Sequence, residues 1–215
     1  MGKEEVMIVT GGLLTESILP FIKKSAIVIG VDRGAEWLII HGIVPDYIVG
    51  DFDSVDTSFF EKVKTQYADR IHQSPAEKDE TDTELAVQLA LTLNIKRITL
   101  LGGIGTRLDH VIANIHVLLQ AAEKNVEAVM IGGNNRIQIL LPGQRKIIDK
   151  SKYTYVSLIP FSDQVEGLTI SGFKYPLQNA VMKLGIPYGI SNELVEEKGT
   201  ILILKGILLI IESKD

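Results

Sequence analysis

The sequence has 215 residues, with 22 Lys and Arg against 27 Asp and Glu, a formal charge of −5 and no cysteine. A chain of this length buries a hydrophobic core without disulfide or zinc support. The lack of cysteine excludes thiolate nucleophiles, iron–sulfur ligation and disulfide frameworks. The mildly negative charge argues against a nucleic-acid partner, since a protein that binds the phosphate backbone needs a basic face.

No segment has the pattern of a targeting signal or a membrane span. The N-terminus lacks the apolar core of a signal peptide. The most apolar stretch, residues 201–211, is interrupted by Lys205-Gly206 and is shorter than the ~20 residues that a spanning helix needs. We therefore expect a cytoplasmic protein with no membrane partner.

The first part of the chain, residues 1–132, alternates short apolar runs with helical patterns, which is typical of an α/β domain with a parallel sheet covered on both faces. Strands are predicted at 6–9, 26–31, 47–49, 98–101 and 126–131. Helices are predicted at 35–41, from Thr81 or Asp82 to near Asn94, and at 108–123.

The remainder, residues 133–215, has no helical periodicity. Strand-like runs occur at 137–141, 146–148, 153–159, 168–170 and 200–204, separated by turn residues. Lys205-Gly206 is predicted to join the last two strands as a hairpin. This regular spacing predicts a small all-β sandwich or barrel.

Aspartates follow the predicted strands at several separate places. Asp32 follows the second strand, Asp51 and Asp53 follow the third, Asp82 opens a helix, and Asp109 lies beyond a glycine-rich turn. Ligands of open parallel sheets bind at the carboxyl ends of the strands. We therefore expect these carboxylates to approach one another at one edge of the sheet.

Each aspartate also has a purely structural interpretation. Asp82 and Asp32 are candidate helix caps, and Asp51 and Asp53 are candidate Asx-turn residues. Asp109, in the first turn of a helix, favours the helix dipole. These alternatives remain open for each residue taken alone.

The aspartates taken together are harder to explain as purely structural residues. Two unit charges about 4 Å apart repel by about 4 kcal/mol at an effective dielectric constant near 20. Several converging carboxylates would therefore cost much of the ~5–15 kcal/mol that stabilises a domain. A magnesium ion, which takes carboxylate oxygens and substrate phosphates as ligands, relieves this repulsion. The pattern thus points to a nucleotide or phosphate substrate.

The glycine-rich turn at residues 102–107 matches no standard fingerprint. It lacks the Gly-Lys-Ser/Thr ending of a P-loop and the third glycine of the dinucleotide motif. A strand, glycine turn and helix in succession still present backbone N–H groups to an anion, and Arg107 suits phosphate oxygens. A tight structural turn is the alternative. His110, in the helix that follows, is interpreted as a helix-surface residue.

Four motifs, taken in order, resemble those of the bacterial thiamine pyrophosphokinase family. They are Asp32-Arg33-Gly34, Gly50-Asp51-Phe52-Asp53-Ser54, Lys78-Asp79-Glu80-Thr81-Asp82, and the segment from Gly102 through Arg107 and Asp109 to His110. The resemblance covers nearly the whole chain. It implies that ATP, as co-substrate, donates a pyrophosphoryl group to the hydroxyl of thiamine, which gives thiamine diphosphate and AMP.

The resemblance also implies residue roles. Asp51, Asp53 and Asp82 would be magnesium ligands, with Asp32 close by as a fourth. Residues contacting ATP would be Asp32, Lys78, Gly102, Gly103, Gly105, Thr106 and Arg107. Asp109 would hold Arg107, hold metal-bound water, or act as a base toward the thiamine hydroxyl. Lys78 is equally well explained as a surface lysine.

By the same resemblance, residues 1–132 form the nucleotide- and metal-binding catalytic domain, and residues 133–215 form a thiamine-binding and dimerisation domain. The segment Ile190-Ser191-Asn192-Glu193 is similar to the family's Ser-Asn segment, which places Ser191 and Asn192 against thiamine. The implied assembly is a homodimer with a shared active site. Tyr188 is a nearby candidate for the aromatic residue that stacks on thiamine.

Two other functions are compatible with the same aspartates and glycine-rich turn. A metal-dependent nucleotide hydrolase would consume ATP without thiamine. A nucleotide-sensing binding module would bind magnesium and ATP without turnover, and its β domain would contact a protein partner.

Overall fold

The computed structural model describes residues 4–22, 26–51, 57–73 and 79–215. The chain divides into two compact units, Met1–Gly133 and Asn134–Asp215, called here the first and second units. Within the described ranges, no helix is both long and apolar enough to cross a membrane.

The first unit alternates strands and helices. Its strands are β1 (Glu5–Val9), β2 (Ile27–Val31), β3 (Tyr47–Gly50), β4 (Ile71–Gln73), β5 (Arg97–Leu101) and β6 (Glu127–Gly132). Its α-helices are α1 (Arg33–Ile40), α2 (Thr57–Gln66), α3 (Asp82–Leu91) and α4 (Leu108–Glu123), with 3₁₀ helices at Glu16–Phe21 and Ala68–Arg70.

These six strands form a parallel sheet in the order β4-β3-β2-β1-β5-β6. The central strand β1 is buried from Val6 to Val9, as expected of a strand covered on both faces. The chain builds the sheet outward from β1 to β4, then returns to the other side of β1 with β5. The strand order therefore reverses between β1 and β5, which is where open α/β sheets bind ligands. The predicted α/β class is confirmed.

Local signals explain where the helices begin and end. The Thr81 hydroxyl accepts a hydrogen bond from the backbone N–H of Glu84, at 3.2 Å, so Thr81 is the cap of α3 and Asp82 is its first residue. Helix α4 spans the predicted residues. The short strand β4 and helix α2 were not predicted, since neither has a pronounced apolar pattern in the sequence.

The second unit is built of antiparallel strands. They are β7 (Asn135–Leu140), β8 (Arg145–Asp149), β9 (Tyr155–Pro160), β10 (Gln164–Ser171), β11 (Leu177–Lys183), β12 (Lys198–Leu202) and β13 (Leu208–Ser213). One sheet has the order β7-β13-β9 and the other β11-β10-β12-β8. Leu158 and Ile210 from one sheet and Leu168 and Ile201 from the other share one core. The predicted all-β sandwich is confirmed.

The hairpin predicted at Lys205-Gly206 is wrong. Strands β12 and β13 belong to different sheets, and the chain turns a corner between them. The Glu166 backbone N–H donates to the Lys205 carbonyl, and the Leu204 N–H donates to the Glu166 carbonyl, both at 3.0 Å. Gly206 has a φ of +81°. The corner therefore pairs with distant β10 rather than closing a local turn. Strand β11, which is mostly exposed, was also not predicted.

Candidate functional site

A cavity of about 560 Å³ opens at the carboxyl ends of β1, β2 and β5, within the first unit. This is the point where the strand order reverses. Its lining comes from four loops and the helix starts that follow them: Thr10, Gly11, Gly12, Leu13, Val31, Asp32, Arg33, Thr81, Asp82, Thr83, Gly102, Gly103, Gly105, Thr106, Arg107, His110 and Asn114.

One wall of the cavity consists of two glycine loops joined through their backbones. Gly12 N–H donates to the Gly102 carbonyl at 3.0 Å, and Leu13 N–H donates to the Ile104 carbonyl at 2.8 Å. These bonds continue the pairing of β1 and β5 beyond the strands. A methyl group at Gly12 would lie 2.1 Å from the Gly102 oxygen, so no larger residue fits there. The predicted glycine turn thus forms one wall together with a second loop.

Asn114 on α4 fixes the position of the turn after β5. Its side chain is only 7% exposed, and its Nδ2 donates to the Gly103 carbonyl at 2.8 Å. Asn114 shares the buried face of α4 with Val117, Leu118 and Ala121. A buried amide on an apolar helix face is the sequence signal that would have identified this residue.

Three of the four aspartates predicted to bind metal come together beside the cavity. Carboxylate oxygens of Asp32, Asp51 and Asp82 all lie within 4.8 Å of one another, and the three residues are half-buried. They are delivered by the ends of β2 and β3 and by the start of α3. Among the residues that the structure describes, this is the one such group with metal-binding geometry. Asp53 and Lys78 lie outside the described residues.

Asp32 has an unusual backbone conformation. Its φ is +44° and its ψ −116°, which for a residue other than glycine costs about 1–3 kcal/mol. Its side chain does not cap α1. A methyl group at Gly50 would lie 1.8 Å from Asp32 Oδ1, so glycine at position 50 leaves room for this carboxylate. The local geometry favours carboxylate placement over helix capping as the reason for Asp32.

Arg107 and Asp109 form an exposed ion pair at the start of α4. Arg107 donates to both carboxylate oxygens, at 2.6 and 3.3 Å. This hydrogen bonding from Arg107 lowers the pKa of Asp109 to about 2 and raises the pKa of Arg107. Asp109 is not part of the aspartate cluster. Of the three roles considered for Asp109, the contact with Arg107 is observed, and the other two stay predictions.

In the second unit, Asn192 anchors neighbouring backbone. It is 8% exposed; its Nδ2 donates to the Tyr175 carbonyl at 2.9 Å, and its Oδ1 accepts from the Tyr175 N–H at 3.1 Å. Ser191 is exposed, with a φ of +58°. The contact of Ser191 and Asn192 with thiamine stays a prediction.

Sequence reasoning assigned no function to several residues of the cavity. The loop Thr10–Leu13 has no role in the sequence analysis, although Gly-Gly directly after a buried strand is a signal of close backbone approach. His110 lines the cavity rather than serving only as a helix-surface residue. Arg33 belongs to one of the four motifs, but the sequence alone indicates no role for it.

Comparison with family models matches both parts of the chain. Residues 19–130 match the thiamin pyrophosphokinase catalytic domain. Residues 144–208 match the thiamin pyrophosphokinase vitamin B1 binding domain.

Individual proteins are similar over nearly the full length. A thiamine pyrophosphokinase of Bacillus subtilis (strain 168) is 37% identical over 212 residues, which are 98% of this chain and 99% of the relative. A crystal structure of thiamine pyrophosphokinase from Bacillus subtilis superposes with a TM-score of 0.91, at 36% identity and with 98% and 99% of the two chains covered. The corresponding structure from Geobacillus thermodenitrificans has a TM-score of 0.88 at 36% identity, with 98% of each chain covered.

Proposed function

This chain belongs to the thiamine pyrophosphokinase family, and we propose that it transfers the pyrophosphoryl group of ATP to the hydroxyl of thiamine, forming thiamine diphosphate and AMP. The observation that carries the proposal is the convergence of Asp32, Asp51 and Asp82 beside a cavity bounded by glycine loops and Arg107. This arrangement suits the polyphosphate of a nucleotide.

The phosphate groups are proposed to bind along the glycine wall. Backbone without side chains permits close approach of an anion. Arg107 and His110 bring the start of α4 to the cavity. The Arg107 side chain makes no capping hydrogen bond to the helix, and the positive dipole end of α4 favours bound anions. Asp109 holds the Arg107 guanidinium by two hydrogen bonds.

The aspartate cluster fits a hard divalent cation. Oxygens from three carboxylates within 4.8 Å of one another repel unless a cation or protons compensate them, and magnesium prefers such oxygen ligands together with substrate phosphates. We propose Asp32, Asp51 and Asp82 as the ligands. When bound, magnesium would neutralise charge on the phosphates. The proposed roles of Asp53 and Lys78 rest on the family resemblance.

The proposed transfer makes few covalent demands on the protein. The thiamine hydroxyl oxygen bonds to the β-phosphorus, the bond from that phosphorus to the oxygen bridging to the α-phosphate breaks, AMP leaves with the bridging oxygen, and the hydroxyl proton is released. Positioning and charge compensation dominate catalysis of such reactions. The residues lining the cavity are suited to both tasks.

Thiamine is proposed to bind between the first unit of one subunit and the second unit of its partner in a homodimer. The family match for residues 144–208 is to a vitamin B1 binding domain, which supports a thiamine contact by Ser191 and Asn192. Exposed apolar side chains of the kind found at interfaces are frequent around this segment: Tyr175, Val181, Leu184, Ile186, Tyr188, Ile190 and Val195. A cytoplasmic location stays a prediction.

An activity assay tests the proposal. Purified protein is incubated with ATP, magnesium chloride and thiamine, and thiamine diphosphate and AMP are quantified with and without chelator. We expect equal amounts of the two products, and loss of both with chelator or with Asp51→Asn. The control is Asp149→Asn, which removes an exposed carboxylate paired with Lys198 in the second unit.

The alternatives give different products. ADP as the main product would contradict transfer from the β-phosphorus. ATP consumption that does not depend on thiamine would identify a nucleotide hydrolase. Binding of ATP without any turnover would identify a nucleotide-sensing module.

A further inference from the structure

Arg33 lines the same cavity but has no part in the function proposed above. It is the first residue of α1 and directly follows Asp32 of the aspartate cluster. Its side chain is exposed and borders the cavity together with Arg107. Two arginine residues therefore line one site.

Two glycines determine where Arg33 lies. A methyl group at Gly34 would lie 2.0 Å from the Val9 carbonyl oxygen, so α1 begins in direct contact with the end of β1. A methyl group at Gly11 would lie 2.9 Å from Arg33 Cβ and 3.7 Å from its Cγ. The stem of Arg33 therefore packs over the bare backbone of the loop after β1.

Arg33 and Arg107 reach the cavity from opposite sides of β1. Arg33 follows β2, and Arg107 precedes α4 after β5; β2 and β5 are the two neighbours of β1 in the sheet. The two cationic side chains thus flank the loop after β1, where the strand order reverses.

The charge balance of the site favours a role for Arg33. A triphosphate carries several negative charges, and guanidinium groups attract phosphate oxygens. Arg33 and Arg107 both line the cavity, so a second arginine there would add to the attraction of a bound triphosphate.

We propose that Arg33 is a second phosphate-binding side chain, which contacts the polyphosphate of the donor nucleotide alongside Arg107. This inference rests on the proposed function, because it assumes that the cavity takes a nucleotide. Arginine's planar fork is suited to bidentate contact with phosphate oxygens.

Steady-state kinetics of the full-length protein give the first test. Arg33→Gln is expected to raise KM for ATP about tenfold, which corresponds to about 1.4 kcal/mol, and to leave KM for thiamine within about twofold, in keeping with a purely phosphate-directed contact. Arg33→Lys should fall between Gln and wild type, since it keeps the charge and loses the fork. The matched control is Arg145→Gln, an exposed arginine of β8 that donates to Thr200.

A binding measurement separates this proposal from the proposed function. Inorganic tripolyphosphate is titrated into wild type and variants by calorimetry in magnesium-containing buffer, after circular dichroism has verified that each variant is folded. We expect Arg33→Gln to bind about tenfold more weakly and Arg145→Gln to bind like wild type. If wild type binds tripolyphosphate in this Arg33-dependent way but makes no thiamine diphosphate, the proposed function fails while the role of Arg33 stands.

Two results would overturn the proposal. One is unchanged affinity of Arg33→Gln for both ATP and tripolyphosphate. The other is a rise in KM for thiamine instead of ATP, which would assign Arg33 to the acceptor.

The contact with Gly11 offers an independent variant. Gly11→Ala places a methyl group against the Arg33 stem and should weaken tripolyphosphate binding in the wild-type background. The same change should have no further effect in Arg33→Gln, because neighbouring residues that act through one contact are non-additive. Additive losses would contradict the placement of Arg33 by Gly11.

Discussion

Carboxylates lie in different environments in the two units. In the first unit, Asp32, Asp51 and Asp82 meet half-buried at a sheet edge beside a cavity. In the second unit, Glu212 is 1% exposed and lies within β13, opposite Arg136 of β7. Mutual proximity beside a cavity is typical of acids that bind a ligand, whereas full burial beside a cation is typical of a structural charge.

The environment of Glu212 supports this distinction. Its Oε2 lies 3.5 Å from Arg136 Nη1 and accepts from Gln138 Nε2 at 3.4 Å. Burial raises the pKa of Glu212 in spite of the nearby Arg136 charge. Arg136 Nε is itself buried without a hydrogen-bond partner in the described part of the chain. This group is therefore an internal part of the β sandwich.

The largest expected effect concerns the aspartate cluster. Asp51→Asn should lower kcat/KM by about 10²–10³-fold, the usual loss when one electrostatic contact in an active site is removed. The melting temperature should stay equal or rise, because one of three repelling charges is gone. Initial rates and thermal melts measure both quantities. A marked loss of stability with retained activity would show that the cluster is structural.

Glu212→Ala should lower stability and leave activity unchanged, which is the converse of the result expected for Asp51→Asn. Removing the buried carboxylate leaves the buried Gln138 donor and the partly exposed Arg136 without this partner. This should lower the free energy of unfolding by about 1–3 kcal/mol, measured by urea denaturation. Activity per folded molecule should be unchanged. Glu212→Gln keeps the shape and is the control expected to lose less. Equal stability of all three proteins would contradict a structural role.

Asn114 is expected to matter for both stability and activity, because it is buried and also lines the cavity. Asn114→Leu removes the donor to the Gly103 carbonyl and should lower the free energy of unfolding by about 1–2 kcal/mol. The displaced loop should also reduce kcat/KM about tenfold, within the loss that misplacement near a reacting group causes. Urea denaturation and initial rates check this pair of losses. A change in stability alone would confine Asn114 to folding.

The smallest expected effect is the pH dependence of stability, which has opposite signs for the carboxyl groups of Asp109 and Glu212. The Asp109 pKa is lowered to about 2, so its contribution to stability is present above the unfolded pKa and is lost as pH falls toward 2. The Glu212 pKa is raised, so its contribution is present below the unfolded pKa and is lost as pH rises through the folded value.

Carboxyl-carbon NMR titration measures both groups. Asp109 should titrate near pH 2 in wild type and return to about 3.9 in Arg107→Gln. Because the Arg107–Asp109 pair is exposed, this variant should barely change the melting temperature. An unshifted Asp109 in wild type would show that the ion pair does not persist in solution.

Much of the fold follows from local patterns. Helix α4 has the predicted bounds because its apolar residues recur with helical spacing over four turns. The all-β character of the second unit follows from its short runs and frequent turn residues. The wrong hairpin at Lys205-Gly206 and the unpredicted β11 share one cause, since the partner of a strand is chosen by contacts far away in the sequence.

In the candidate site, too, local sequence patterns predicted some features and distant contacts decided the others. Short motifs placed acids, glycines and Arg107 at the ends of strands and suggested the family, because motif and periodicity are properties of neighbouring residues. Only long-range strand pairing brings the carboxylates of Asp32, Asp51 and Asp82 within 4.8 Å of one another. The same pairing places the Arg33 stem against Gly11 and the Asn114 amide within hydrogen-bond distance of the Gly103 carbonyl. Distances of a few ångströms between such side chains depend on how β1, β2, β3 and β5 assemble, and cooperative packing of the whole unit decides that assembly.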